Sequence, residues 1–100
     1  MKLSIKERVS ILSLLPQKGN FMEMTIKSDL SKKLAIRQEE MEQVQMKSEN
    51  GVIHWDQSLE TPNEFEFTDA EKSMVVSELK ALDESKSLTD DTIGIYKLFI

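Results

Sequence analysis

Cysteine is absent from the 100 residues. That excludes a disulfide framework and any zinc site built on thiolates, and it fits a reducing compartment. Gly (3) and Pro (2) are scarce. Collagen-like, mucin-like and proline-rich classes are therefore excluded, and no glycine-rich loop is present to cradle a phosphate. Histidine occurs once, at His54. His54 and Asp56 fall on one side of an extended segment and Trp55 on the other, so His54 reads as solvent-facing and Trp55 as packed inward. No apolar run approaches the roughly 20 residues needed to cross a bilayer. The stretch from Val9 to Pro16 is crowded by Lys6, Glu7 and Arg8, and no small-x-small cleavage site follows it. It reads as an amphipathic helix and not as a secretory signal. The expectation is a soluble, cytoplasmic protein with no membrane segment.

What is present suffices for a core. Hydrophobic residues make up 39% and charged residues 31%, which argues against full disorder and for one small domain. The six methionines (Met1, Met22, Met24, Met41, Met46, Met74) read as core fillers, although methionine faces also make adaptable binding surfaces.

Helix starts are the clearest local signals. Ser4-Ile5-Lys6-Glu7 matches a capping box, and Val9, Leu12 and either Ile11 or Leu15 follow at helical spacing. Pro16 and Gly19 end that helix, placed at 5–15. Asn20 to Glu23 is a looser cap. After it, Met22, Ile26, Leu30 and Leu34 recur every four residues, predicting a helix over 22–35. Met22, Met24 and Ile26 also alternate, so a strand over 21–27 competes. Residues 37–43 form a short acidic helical turn.

The period then changes. Val44, Met46 and Ser48 alternate, Asn50-Gly51 follows, and Val52 to Asp56 completes a hairpin expected at 44–56. Both turn residues tolerate the positive φ of a type I′ turn. Glu64 to Phe67 reads as a third short strand with Phe65 and Phe67 on one face. Thr68-Asp69-Ala70-Glu71 is another capping box and opens a helix over 69–84 with Val75, Leu79 and Leu82 inside, flanked by Met74. A last helix covers 90–99. Gly94 within it costs roughly 1 kcal/mol against Ala. Its apolar end, Tyr96 to Ile100, is expected to dock on the core or on a partner. The fold class predicted is α+β in a single domain over 1–100: two N-terminal helices, a β-hairpin plus a third short strand, and two C-terminal helices. The order of the first elements is that of a winged helix-turn-helix.

Charge is unevenly spread. Residues 1–37 hold eight Lys/Arg and three Asp/Glu, a net of +5, whereas residues 38–100 hold five and fifteen, a net of -10. Such asymmetry marks either a polyanion-binding face or two halves that attract each other within one fold. The helix that a winged helix would offer to DNA carries Glu39, Glu40 and Glu42, which a phosphate backbone would repel. The leading expectation is a non-enzymatic interaction module. Its acidic face, built from Glu39, Glu40, Glu42, Glu64 and Glu66, would dock a basic protein partner or imitate a nucleic-acid surface. The alternative is nucleic-acid binding through Lys27, Lys32, Lys33 and Arg37 of the basic half. A third expectation is self-assembly through Leu98 to Ile100. Glu39 with Glu42, or Asp90 with Asp91, lack the loop spacing of a calcium hand. No catalytic residue, metal or cofactor is predicted.

The stretches Leu3 to Arg8 and Leu14 to Phe21 resemble the start of small accessory proteins common in bacteriophages and prophages. The tail, Ala81 to Asp83, Leu88 to Asp90 and Tyr96 to Phe99, resembles theirs too. The resemblance is a pattern of apolar positions and turns, covers most of the chain with gaps in the middle, and carries no catalytic signature. It implies a small soluble protein made in a bacterial cytoplasm that acts by binding a host or phage protein.

Overall fold

A computed structural model describes residues 1–100. The chain runs β1 (Lys2–Leu3), α1 (Ile5–Leu14), α2 (Phe21–Leu34), α3 (Gln38–Gln43), β2 (Lys47–Glu49), β3 (Val52–His54), a 3-10 turn (Gln57–Leu59), β4 (Asn63–Glu64), α4 (Asp69–Glu84) and α5 (Asp90–Phe99). Five helices and two small antiparallel sheets give a mixed α+β domain. No helix is long and apolar enough to cross a membrane.

The helices begin where side chains can occupy their unpaired first N–H groups. Ser4 Oγ accepts from the Glu7 N–H at 3.2 Å while the Glu7 carboxylate accepts from Ser4 N at 2.9 Å. Asn20 and Glu23 do the same for α2, and Thr68 and Glu71 for α4. The cap at Asn20 decides between the two readings of residues 21–27, which are helical throughout. Asn50 (φ 52) and Gly51 (φ 77) both sit in the left-handed region, as a type I′ turn requires, and join β2 to β3.

Leu3, Ile11, Leu15, Leu30, Leu34, Val75, Leu79 and Ile95 form one buried cluster. Each contributes on the order of 1.5–3 kcal/mol by leaving water. Helix α1 lies at its centre and packs against α2, α4 and α5. Helix α5 docks on the chain's own core through Ile95, Tyr96 and Phe99, and the Phe99 ring lies 5.6 Å from that of Phe67. Leu98 and Ile100 remain exposed.

Several local expectations are corrected. Val9 faces outward, and the buried positions of α1 are Ile5, Arg8 and Ile11, because the polar side chain of Arg8 finds its partners inside. Met22 is 71% exposed and so fills no core, since the first turns of α2 extend beyond the packed cluster. The third strand is shorter than expected and does not extend the hairpin. Asn63 and Glu64 pair with Leu3 and Lys2, in a sheet of their own. Phe65 and Phe67 follow that strand and turn inward against the core instead.

Candidate functional site

A polar cleft of about 430 Å³ lies where the end of α2, the start of α3 and the segment from Glu60 to Phe65 meet. Arg8 forms its floor. The side chain is 2% exposed and reaches it from α1.

The position of Arg8 follows from what α2 lacks. Helix C-termini leave carbonyls without intrahelical partners, and a glycine often helps to satisfy them. Here the cap residue is Ala35, extended at φ -56 and ψ 137. Arg8 supplies the missing donors. Its Nε donates to the Leu34 carbonyl at 3.2 Å and Nη2 to the Ala35 carbonyl at 2.7 Å. The rest of the guanidinium grips Glu40, through Nη1 to Oε2 and through Nη2 to Oε1 at 3.2 Å. The Phe65 ring lies over the guanidinium, 5.0 Å from its carbon.

Glu40 is the third residue of α3. Its carboxylate also accepts from the Arg37 N–H at 3.2 Å and from the Asn63 amide at 3.1 Å. The bond from Arg8 holds the Glu40 carboxyl below the ordinary glutamate value of 4.5 despite its partial burial. One ion pair therefore places a cation at the C-terminus of α2 and an anion at the N-terminus of α3, each where the helix dipole favours it.

A second pair repeats the arrangement at α4. Lys33, in the last turn of α2, donates to Glu71, the third residue of α4, at 2.6 Å and to the Glu66 carbonyl at 2.8 Å. Its ammonium lies 5.7 Å from the centre of the Phe67 ring. Glu71 is 4% exposed. Burial opposes its charge, but the bonds from Lys33 and from the Thr68 backbone outweigh that and hold its carboxyl low. Two exposed pairs complete the set: the N-terminal ammonium with Glu64 at 2.7 Å, and Lys6 with Asp91 at 3.2 Å. Glu64 is held below its ordinary range by the ammonium.

All four ion pairs join a cation from residues 1–37 to a carboxylate from residues 38–100. The two oppositely charged stretches thus meet within the fold. Of the five carboxylates expected on an acidic face, Glu40 is committed to Arg8 and Glu64 to the N-terminus. Glu39 lines the cleft with them, while Glu42 and Glu66 are exposed outside it. Of the four expected cations, Lys33 is committed to Glu71. Arg37 lines the cleft, and Lys27 and Lys32 lie outside it.

Sequence reasoning missed Arg8, Gln43, Glu60, Thr61 and Asn63 as cleft residues. Glu40 was singled out as a surface carboxylate, but its place as the third residue of α3 was not, because Arg37 before the helix is not a usual cap and masked the pattern. No group of three His, Asp or Glu side chains comes together that could hold a metal ion. His54 is exposed. Trp55 is half-buried with an indole N–H that has no partner. No family model matches this chain, and neither a curated protein nor a solved structure does.

Proposed function

We propose that this chain is a non-enzymatic protein-binding module that meets a basic partner with its acidic surface. The observation that carries this reading is the direction of the four ion pairs. They use Lys6, Arg8, Lys33 and the N-terminus internally, so the N-terminal stretch retains five unpaired cations against Glu7, Glu23 and Asp29. After residue 37, eleven carboxylates without an ion pair face five lysines. The surface is therefore mainly anionic, with Glu39, Glu42 and Glu66 free to meet a cation. The resemblance to phage accessory proteins supports a host or phage protein as that partner, met in a bacterial cytoplasm.

The test is fluorescence anisotropy with a labelled lysine-rich peptide and with mixed-sequence duplex DNA, each at low and high salt. The reading expects peptide binding that weakens with salt and with Glu39→Gln plus Glu42→Gln, and no DNA binding. Peptide binding indifferent to both changes overturns it. Lys27, Lys32 and Arg37 hold no ion pair and support the nucleic-acid alternative. DNA binding that falls steeply with salt and is lost on Lys27→Ala plus Lys32→Ala would establish that alternative instead.

A further inference from the structure

A second surface lies at the other end of α2. Ile26 on α2 and Met74 on α4, with Pro16 and Ala70, line a groove of about 300 Å³ between the two helices. Its remaining lining is Glu23, Ser73, Ser77 and Glu78. Three properties bear on what this groove takes. Its floor is apolar and partly built of methionine, which adapts to irregular partners. Ala70, Ser73 and Ser77 keep the α4 wall low, so another backbone can approach closely. Its titratable groups are both carboxylates. Glu78 is half-buried and makes no ion pair or side-chain hydrogen bond, while Glu23 is partly used in capping α2. No cation lines the groove to answer them.

Met22 lies one turn before Ile26 on the same face of α2 and is 71% exposed. Ile26 and Met74 thus present apolar contacts beside Glu78, which has no partner, and Glu23, which caps α2, while Met22 adds exposed apolar surface one turn away. An extended strand would find no free edge between two helices. A helix lays one apolar face into such a groove and carries charges on its flanks. The charges that match here are positive.

We infer that the groove between α2 and α4 receives a cationic amphipathic helix of a partner protein. Aliphatic side chains of that helix would seat on Ile26 and Met74, and a Lys or Arg would reach Glu78. This rests on the reading that the partner is basic, and it names the form that partner takes. The groove is about 10 Å along α2 from the Arg8 cleft, counted from Ile26 to Lys33 at 1.5 Å per residue, so the two surfaces can be separated by mapping.

The experiment is an NMR titration of the isotopically labelled full chain with a synthetic Leu/Lys amphipathic helical peptide, and with a Leu/Glu peptide of the same pattern. The expected result is amide shifts at Ile26, Ser73, Met74 and Ser77 with the cationic peptide only. Glu78→Lys should weaken binding by about five- to tenfold, as reversal of a rim charge does. Glu78→Gln should have a smaller effect in the same direction. Glu78 makes no ion pair or side-chain hydrogen bond, and a circular dichroism melt of each variant checks that the fold is kept. Shifts confined to Glu39–Gln43 would overturn the groove and leave the acidic-surface reading standing. Equal binding of the acidic peptide, or binding that ignores Glu78→Lys, would also overturn the groove. No shifts with either peptide would overturn both.

Discussion

Arg8 and Glu40 stand 32 positions apart, and their side chains form a two-bond ion pair in which the arginine is almost wholly withdrawn from water. The same guanidinium closes the end of α2, and the same carboxylate closes the start of α3. This makes the pair a joint between two helices that share only three connecting residues. It also ties both to α1, which carries the arginine.

The geometry of that joint depends on the fork of the guanidinium. Arg8→Lys keeps the charge but cannot reach Leu34, Ala35 and both Glu40 oxygens together. We expect it to lose about 2–3 kcal/mol of unfolding free energy, and Arg8→Met about 3–5 kcal/mol, since the latter strands a partly buried carboxylate. Urea titration followed by circular dichroism measures both.

Stability should fall in acid, and the sign follows from two carboxyls. Glu40 and Glu71 both titrate below the ordinary glutamate value of 4.5 when folded. Their stabilisation is complete above that value and is lost as pH falls through their folded values. Unfolding free energy should hold from pH 7 to about 5 and then decline. Glu40→Gln should start from a lower plateau, and its gap from the wild type should close as the pH drops. Urea midpoints at a series of pH values check this. A gap that stays constant into acid would show that Glu40 is not the titrating group.

The hairpin should open independently of the core. All six residues of β2 and β3 are exposed, and a lone two-stranded sheet is only marginally stable in water. Amides of 47–54 should exchange with deuterium at least about a hundredfold faster than those of Val75 and Leu79, which belong to the buried cluster. Gly51→Ala, strained at φ 77, should speed that exchange further with little change in global unfolding. Equal protection of hairpin and core would instead make the hairpin part of the cooperative unit.

Gly94 offers a stabilising substitution. It lies inside α5, it is exposed, and a Cβ there would meet nothing within 4 Å. Gly94→Ala should add about 0.5–1 kcal/mol by restricting the unfolded chain and favouring the helix. Thermal melting should register this as a rise of several degrees, about 4–8 °C per kcal/mol for a domain this size.

The helices were legible because their signals are local. Ser4 with Glu7 and Thr68 with Glu71 mark starts within four residues, and the expected bounds of 69–84 and 90–99 coincide with those of α4 and α5. Asn50-Gly51 marked the hairpin for the same reason. The pairing of Lys2–Leu3 with Asn63–Glu64 was not legible, because two-residue strands some 60 positions apart carry no periodic pattern. Hydrophobic spacing placed Val9 inside and overlooked Arg8, whose partners at Leu34, Ala35 and Glu40 are all distant in the chain. At the site, the charges themselves could be read but their pairing could not. Glu39, Glu40, Lys33 and Arg37 were all singled out, yet which carboxylate each cation would meet depends on how α1, α2 and α4 pack.

The central claim is that the basic and acidic stretches are joined inside the fold, and the Arg8–Glu40 joint is its strongest instance. A double-mutant cycle with Arg8→Met, Glu40→Gln and the pair of changes together, read by urea unfolding, tests it most directly. The account predicts that the two changes are strongly non-additive, with a coupling energy of at least about 1.5 kcal/mol. Effects that add to within about 0.5 kcal/mol would show that the two residues do not depend on each other, and would contradict it.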